Sequence, residues 1–113
     1  MTPEIGLLVA TAAAMLLDVA TGLAKGVAAG ALDSQKMREG LWHKAGFVGL
    51  IALAYLLQFA QGFADLGVEI PTMAAVCVFV IATEAVSVVE NLCELNPDIA
   101  ASPVGKLFGR HDA

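Results

Sequence analysis

The chain has 113 residues, of which 58% are hydrophobic and only 15% are charged, and its formal net charge is −5. A soluble domain carries about 45–50% apolar and about 25% charged residues, so this chain has more apolar surface than one small core can bury. The acidic balance leaves no basic patch and excludes a nucleic-acid partner. The length accommodates one domain, and the composition predicts an integral membrane protein.

Three long apolar stretches predict three transmembrane helices, at about residues 5–32, 41–63 and 70–92. Each reaches the roughly 20 residues that a helix needs to cross about 30 Å of hydrocarbon. No segment shows the alternation with period two that a membrane β-barrel requires. The N-terminal Met-Thr-Pro-Glu carries an acid where a signal peptide carries Lys or Arg, so the first stretch is predicted to be retained as a span. The predicted fold class is an all-α membrane protein with short connecting loops.

The connecting segments predict an orientation in the membrane. Residues 33–40 are polar and predict a loop, Pro71 suits the first turn of the third helix, and residues 96–113 are predicted to form a cytoplasmic tail. The second connector, residues 62–69, contains no basic residue. The basic residues that flank the first connector or lie in the tail are Lys36, Arg38, Lys44, Lys106 and Arg110. By the positive-inside rule, this distribution places the N-terminus outside and the C-terminus in the cytoplasm.

The first span contains a polar stripe. On a helical wheel Asp18 and Lys25 lie about 20° apart and Thr21 lies about 60° from Asp18, with Thr11 on the same side. A carboxylate at the centre of a membrane helix costs roughly 2.5–3.5 kcal/mol, so Asp18 is expected to face another helix or water. Two interpretations of Asp18 stay open, a structural hydrogen bond between helices and a role in assembly or in a wet lumen. Lys25 is equally compatible with the stripe and with a side chain that extends to the headgroups.

Small residues border this stripe and predict a face for helix packing. Asp18 takes one position of a four-residue register whose other members are Ala10, Ala14, Gly22, Gly26 and Gly30. Small residues at this spacing let helix backbones approach closely in lipid. The alternative is that glycine is simply common in membrane helices.

A second polar face lies on the third span. Glu84, Ser87 and Asn91 fall within about 60° of arc, and Glu90 lies to one side near the membrane boundary. Glu84 lies deep in the span and cannot face lipid without a large free-energy penalty. These residues are predicted to act with the first-span stripe in assembly within the membrane.

The residues that bear chemistry do not form a catalytic or metal-binding pattern. Glu84 and Glu90 lie on different faces and no nucleophile accompanies them, while His43 and His111 are isolated. Cys77 and Cys93 fall on one predicted helix at about 24 Å separation, too far apart for a disulfide. The sequence therefore predicts neither an enzyme nor a cofactor or metal site.

Four segments in order and spacing resemble the toxin-secretion/phage-lysis holin family. They are Asp18-Val19-Ala20-Thr21-Gly22, Leu32-Asp33-Ser34, Gly40-Leu41-Trp42-His43-Lys44 and Glu84-Ala85-Val86-Ser87-Val88-Val89-Glu90-Asn91-Leu92, and they cover most of residues 15–95. The chain departs from the family at Asn96-Pro97-Asp98-Ile99, where relatives often have a Gly-containing turn.

The resemblance implies a function and partners. Such proteins accumulate in the host cytoplasmic membrane as homo-oligomers and form lesions that release an endolysin or collapse the proton-motive force. The expected partners are the lipid bilayer, other copies of the chain and an endolysin. Two alternatives stay open, a small subunit that scaffolds a larger membrane complex and a holin-like pore for toxin export.

Overall fold

A computed structural model describes residues 1–108, within which all regular secondary structure is helical. Three long helices, α1 (Pro3–Ala28), α2 (Ser34–Gln61) and α3 (Met73–Leu95), are each long and apolar enough to cross a membrane. Two short helices follow, α4 (Pro97–Ala101) and α5 (Pro103–Phe108). Arg110 and His111, which the sequence analysis considered, lie outside the described residues.

Each long helix begins at a side chain that caps its first turn. Thr2 accepts a hydrogen bond from the Ile5 amide at the start of α1, and Thr72 accepts one from Ala75 at the start of α3. Asp33 caps α2 by accepting from the amides of Gln35 and Lys36. Such caps satisfy backbone donors that have no partner within the helix.

Because of these caps, the first residues of α2 and α3 differ from the sequence-based prediction. The polar segment 33–40 was expected to form a loop, but all of it after Asp33 belongs to α2. The aspartate cap outweighs the polarity of this segment, because polar side chains are compatible with a helix that projects into the headgroup region. Pro71 precedes the Thr72 cap and therefore lies outside α3 rather than in its first turn.

Gly30 ends α1 and does not continue its packing face. Its φ is +63°, the amide of Gly30 donates to the Val27 carbonyl, and the amide of Ala31 donates to the Gly26 carbonyl. This pair of hydrogen bonds is a Schellman motif, which needs a residue in the left-handed region where glycine carries no Cβ penalty. The four-residue register that assigned Gly30 to helix packing therefore breaks at the end of the helix.

The third helix is the centre of the bundle. Both α1 and α2 pack against α3, and α1 and α2 make few close approaches to each other. A small apolar cluster of Ala54, Val76 and Val80, contacted by Met15, Phe47 and Ile51, joins the three helices. Beyond Ala54 on α2, the Gln58 side chain accepts a hydrogen bond from the Met73 amide, which joins α2 to the start of α3.

The segment after α3 folds back on the bundle. Asn96 ends α3 and caps α4 by accepting a hydrogen bond from the Asp98 amide, so the expected break at Asn96-Pro97 is present. Both α4 and α5 contact α3. Gly105 of α5 is buried against α4. This part of the predicted tail is thus helical and packed.

Substitution of Gly30 by Ala should destabilise the native state and so lower its free energy of unfolding. The cost should be about 1–2 kcal/mol, because an L-residue is strained in the left-handed region. The measurement is unfolding by SDS titration in mixed micelles. Gly46→Ala is the matched control, since Gly46 lies inside α2 with open space beside it, and there alanine should be neutral or stabilising. Equal destabilisation by both changes would contradict the assignment.

Candidate functional site

An ion cluster joins the three long helices inside the bundle. Lys44 Nζ on α2 lies 2.6 Å from Asp18 Oδ2 on α1 and 3.1 Å from Glu84 Oε2 on α3. The Lys44 and Asp18 side chains are 12% and 17% exposed, and Glu84 is 2% exposed. One ammonium group therefore pairs with two carboxylates from two different helices.

A hydrogen-bond network extends this cluster along the contact between α1 and α3. Asn91 Nδ2 donates to Asp18 Oδ1 at 2.9 Å and to Thr21 Oγ1 at 3.0 Å. The Thr21 hydroxyl in turn donates to the Leu17 carbonyl of its own helix at 2.8 Å. Both oxygens of the Asp18 carboxylate thus have a donor, Asn91 on one side and Lys44 on the other.

Helix periodicity explains why these side chains meet. Asp18 and Thr21 are one turn apart on α1, and Glu84 and Asn91 are two turns apart on α3, so each pair lies on one face. The structure turns these two faces towards each other. Gly22 lies at the same contact, where an added Cβ would come 3.7 Å from Asn91 Nδ2.

The sequence analysis counted Lys44 with the basic residues that flank the first connector and expected it to be exposed there, but its side chain is only 12% exposed and lies inside the bundle. The α2 helix begins at Ser34, so Lys44 lies several turns inside it and its ammonium reaches the buried acids. A signal for this role was present in the sequence. Asp18 and Glu84 are two acids inside apolar spans, and a nearby base that compensates them is expected when charges are buried in lipid.

Lys25 forms a separate and more exposed ion pair. Its Nζ lies 2.9 Å from Glu94 Oε2, with side-chain exposures of 38% and 64%. The pair links the last turns of α1 and α3. Exposed pairs of this kind contribute about 0–1 kcal/mol, so Lys25 supports the helix contact without belonging to the ion cluster.

The remaining residues singled out by sequence lie outside the cluster. Ser87 and Glu90 are partly buried on α3, and Thr11 is buried on α1 with its hydroxyl donated to the Leu7 carbonyl. Gly26 faces the first connector, since an added Cβ would come 3.2 Å from Leu32 Cδ1. Of the three glycines in this register, Gly22, Gly26 and Gly30, only Gly22 has an atom of another helix within 4 Å of an added Cβ.

The polar groups of the cluster find their partners within one chain, although its two acids outnumber its one base. Its formal charge with all three groups ionised is −1, and no buried side-chain nitrogen or oxygen in residues 1–108 lacks a hydrogen-bond partner. In the same range, no group of His, Cys, Asp and Glu side chains is arranged to hold a metal ion. Removing Lys44 would leave two carboxylates without a counter-ion in a low-dielectric site, which is far more costly than replacing all three charged groups.

Comparison with known proteins bears on the identity of this bundle. A sequence model of the bacteriophage holin family matches residues 2–102, which include all three long helices and the ion cluster. No curated protein and no solved structure matches the chain.

Substitution of Lys44 by Met should destabilise the bundle strongly. It leaves Asp18 and Glu84 without their counter-ion, and the loss of one partner of a buried pair costs about 3–5 kcal/mol. The triple variant Asp18→Asn, Lys44→Met, Glu84→Gln should recover much of this loss in SDS titration. Lys25→Met is the matched control and should cost about 1 kcal/mol or less. A triple variant no more stable than Lys44→Met alone would contradict the role of the ion cluster.

Proposed function

The chain belongs to the bacteriophage holin family and is a multi-pass membrane protein of that type, and from this premise we propose that it forms lesions that permeabilise the bacterial cytoplasmic membrane. The lesions are homo-oligomers, and they release an endolysin or collapse the proton-motive force, which leads to host lysis. The observation that carries this proposal is the closed ion cluster of Asp18, Lys44 and Glu84 between three apolar helices.

In a single chain the ion cluster makes the bundle compatible with lipid. The charged groups are directed inwards, and large apolar side chains cover the outer surface of the helices, among them Leu17, Leu53, Leu56 and Phe79. Charges that are paired internally let the protein accumulate in the bilayer without exposing a carboxylate to hydrocarbon. The monomer is thus a stable form in which the permeabilising groups are hidden.

The second helix is the element that separates most readily. It has 28 residues, yet only its Ala54 is buried. Its attachments are the Lys44 ion pairs, the small apolar cluster and the Gln58 hydrogen bond. In contrast, α3 has seven buried residues, and α1 is joined to it by the Asn91 network.

Oligomerisation follows from exchanging these attachments between chains. At high density in the membrane, Lys44 of one copy pairs with the carboxylates of the next, so that no charge is left unpaired during the exchange. Helices that open in this way expose Asp18 and Glu84 to a shared interior, which water then fills. The critical density sets the delay before lysis, since pairing between chains depends on concentration and pairing within a chain does not.

Controlled expression in bacteria tests the proposed activity directly. Culture density and membrane potential are followed over time in cells that also contain a muralytic enzyme in the cytoplasm. We expect a lag, a sudden loss of potential and release of the enzyme. Steady growth with the protein present in the inner membrane would contradict the proposal and favour a scaffolding subunit. Loss of potential without release of the enzyme would restrict the lesion to small solutes.

Substitution of Asp18 by Leu should leave insertion intact and abolish or mistime lysis. The change removes the acid that pairs with Lys44 at the shorter distance and that accepts from Asn91, so α1 loses its ion pair and its side-chain carboxylate contact within and between chains. Insertion is measured by membrane fractionation and lysis by culture density. Thr83→Val is the matched control, because the Thr83 hydroxyl bonds only to the Phe79 carbonyl of its own helix. Lysis on the wild-type schedule by Asp18→Leu would contradict the role of the ion cluster in timing.

The proposed orientation has the N-terminus outside and the C-terminus in the cytoplasm. Lys36 and Arg38 at the start of α2 and Lys106 in α5 support it through the positive-inside rule. In a variant with Cys77 and Cys93 replaced by Ala, Thr2→Cys should react with a membrane-impermeant maleimide in intact cells. Lys106→Cys should react only after the cells are opened. The reverse labelling pattern would overturn this orientation.

A further inference from the structure

Glu84 is the more deeply buried of the two acids in the ion cluster, and it has fewer hydrogen-bond donors. Its side chain is 2% exposed, against 17% for Asp18. Among residues 1–108, its carboxyl oxygens receive hydrogen bonds from Lys44 Nζ alone, at 3.1 and 3.4 Å. An ionised carboxyl can accept about four hydrogen bonds, and burial removes the water that would supply the others. The surroundings of Glu84 therefore replace little of the hydration that a carboxylate loses.

Asp18 competes for the same ammonium group and holds it more closely. Lys44 Nζ lies 2.6 Å from Asp18 Oδ2, and Asn91 Nδ2 donates to Asp18 Oδ1 at 2.9 Å. Short hydrogen bonds between an ammonium group and a carboxylate are the stronger kind. Asp18 and Lys44 thus form a complete ion pair, and Glu84 is an additional acid that has no base of its own.

The groups that face Glu84 leave the cluster with one negative charge in excess when all are ionised. Asp18 faces Glu84 from α1, Lys44 faces it from α2, and no other basic side chain in residues 1–108 pairs with either acid. The two carboxyl groups are also close enough for a hydrogen bond between them, which requires a proton on one of them. The charged or titratable groups next along the packed helices are partly or fully exposed, and they are Lys25, His43, Glu90, Glu94, Asp98 and Lys106.

An excess charge at this position is costly in a membrane. Two neighbouring carboxylates in a site that excludes water repel each other, and uptake of one proton removes the repulsion. A neutral carboxyl group also gains an O–H donor, which the Asp18 carboxylate can accept. Uptake of one proton therefore satisfies the charge balance and the hydrogen bonding of the cluster together.

From this arrangement we propose that the ion cluster is a proton-binding site, in which Glu84 carries one proton at neutral pH and donates it in a hydrogen bond to Asp18. The cluster is then neutral, with Asp18 and Lys44 as its ion pair, and no net charge is buried in the bilayer. Where Glu84 reaches water, its O–H bond breaks, the carboxylate keeps the electron pair and the proton passes to that water. This release rests on the proposed lesion, whereas the proton in the closed bundle does not.

Infrared spectroscopy of the purified protein in liposomes at about pH 7 tests for the proton. A protonated carboxyl group has a C=O stretching band that is separate from the carboxylate bands and shifts in D2O. The wild type should show this band, and labelling of glutamate carboxyl groups with carbon-13 should lower its frequency. Glu84→Gln should lose the band. Glu90→Gln is the matched control and should keep it, since Glu90 lies on the same helix outside the cluster.

The pH dependence of unfolding in SDS titration gives a second measurement. The folded chain holds one proton that an unfolded glutamate, with an ordinary pKa of about 4.3, has released. Stability should therefore fall as the pH rises, and the unfolding equilibrium constant should increase about tenfold per pH unit between about pH 6 and pH 7. Glu84→Gln should lose this dependence and Glu90→Gln should keep it, and because both variants retain His43 and His111, the titration of these histidines cancels.

Three results would overturn the proposal. They are the absence of the band in the wild type, a band that does not respond to the glutamate label, and equal pH dependence in Glu84→Gln and Glu90→Gln. If circular dichroism shows that Glu84→Gln fails to fold, the labelled wild type still decides whether a glutamate carries the proton. Neither measurement involves lysis, so a chain that holds the proton but fails to permeabilise cells would contradict the proposed lesion and leave the proton site in place.

Discussion

The position of one ammonium group between two carboxylates is the constraint on which the rest of this structure depends. Asp18, Lys44 and Glu84 come from three different helices, so their pairing fixes the rotation of each helix about its own axis. In water such pairs contribute little, because solvent competes for each charge. In a bilayer the alternative is a carboxylate facing hydrocarbon, and that penalty makes the arrangement specific.

The other contacts of the bundle are arranged around this cluster. Asn91 holds the second oxygen of Asp18 and joins α1 to α3, and the small residue Gly22 lies at this contact. On the other side, Ala54, Val76 and Val80 form an apolar cluster that is small for a bundle of this length. Because burial of apolar surface gives no driving force between helices in lipid, polar contacts and close packing determine which helices associate.

The ion cluster and the attachment of α2 are the two features on which the proposed change from a chain compatible with lipid to a membrane lesion depends. A family whose members permeabilise membranes needs a form that tolerates the bilayer and a form that disrupts it. In the proposed function, the ion cluster serves the first form, and the weak attachment of α2 is what the exchange between copies would use.

Some structural features followed directly from local sequence. The three spans are predictable because each is a long apolar run, and the break after α3 follows from Asn96-Pro97. The polar faces around Asp18 and Glu84 follow from helical periodicity. The end of α1 at Gly30 and the start of α2 at Asp33 were missed, because a register of small residues and a polar segment suggested the opposite in each case.

The sequence by itself determined that this is an all-α membrane protein, a member of a recognisable family, with acids that have to be shielded from lipid. Composition, span length and periodicity are properties of the local chain, and the bilayer acts on them directly. Only the tertiary structure decided that Lys44 is the group that shields these acids and that Ser87 and Glu90 are not in the cluster. That choice depends on how far each helix is rotated and how closely it packs on α3, and contacts between distant residues set both.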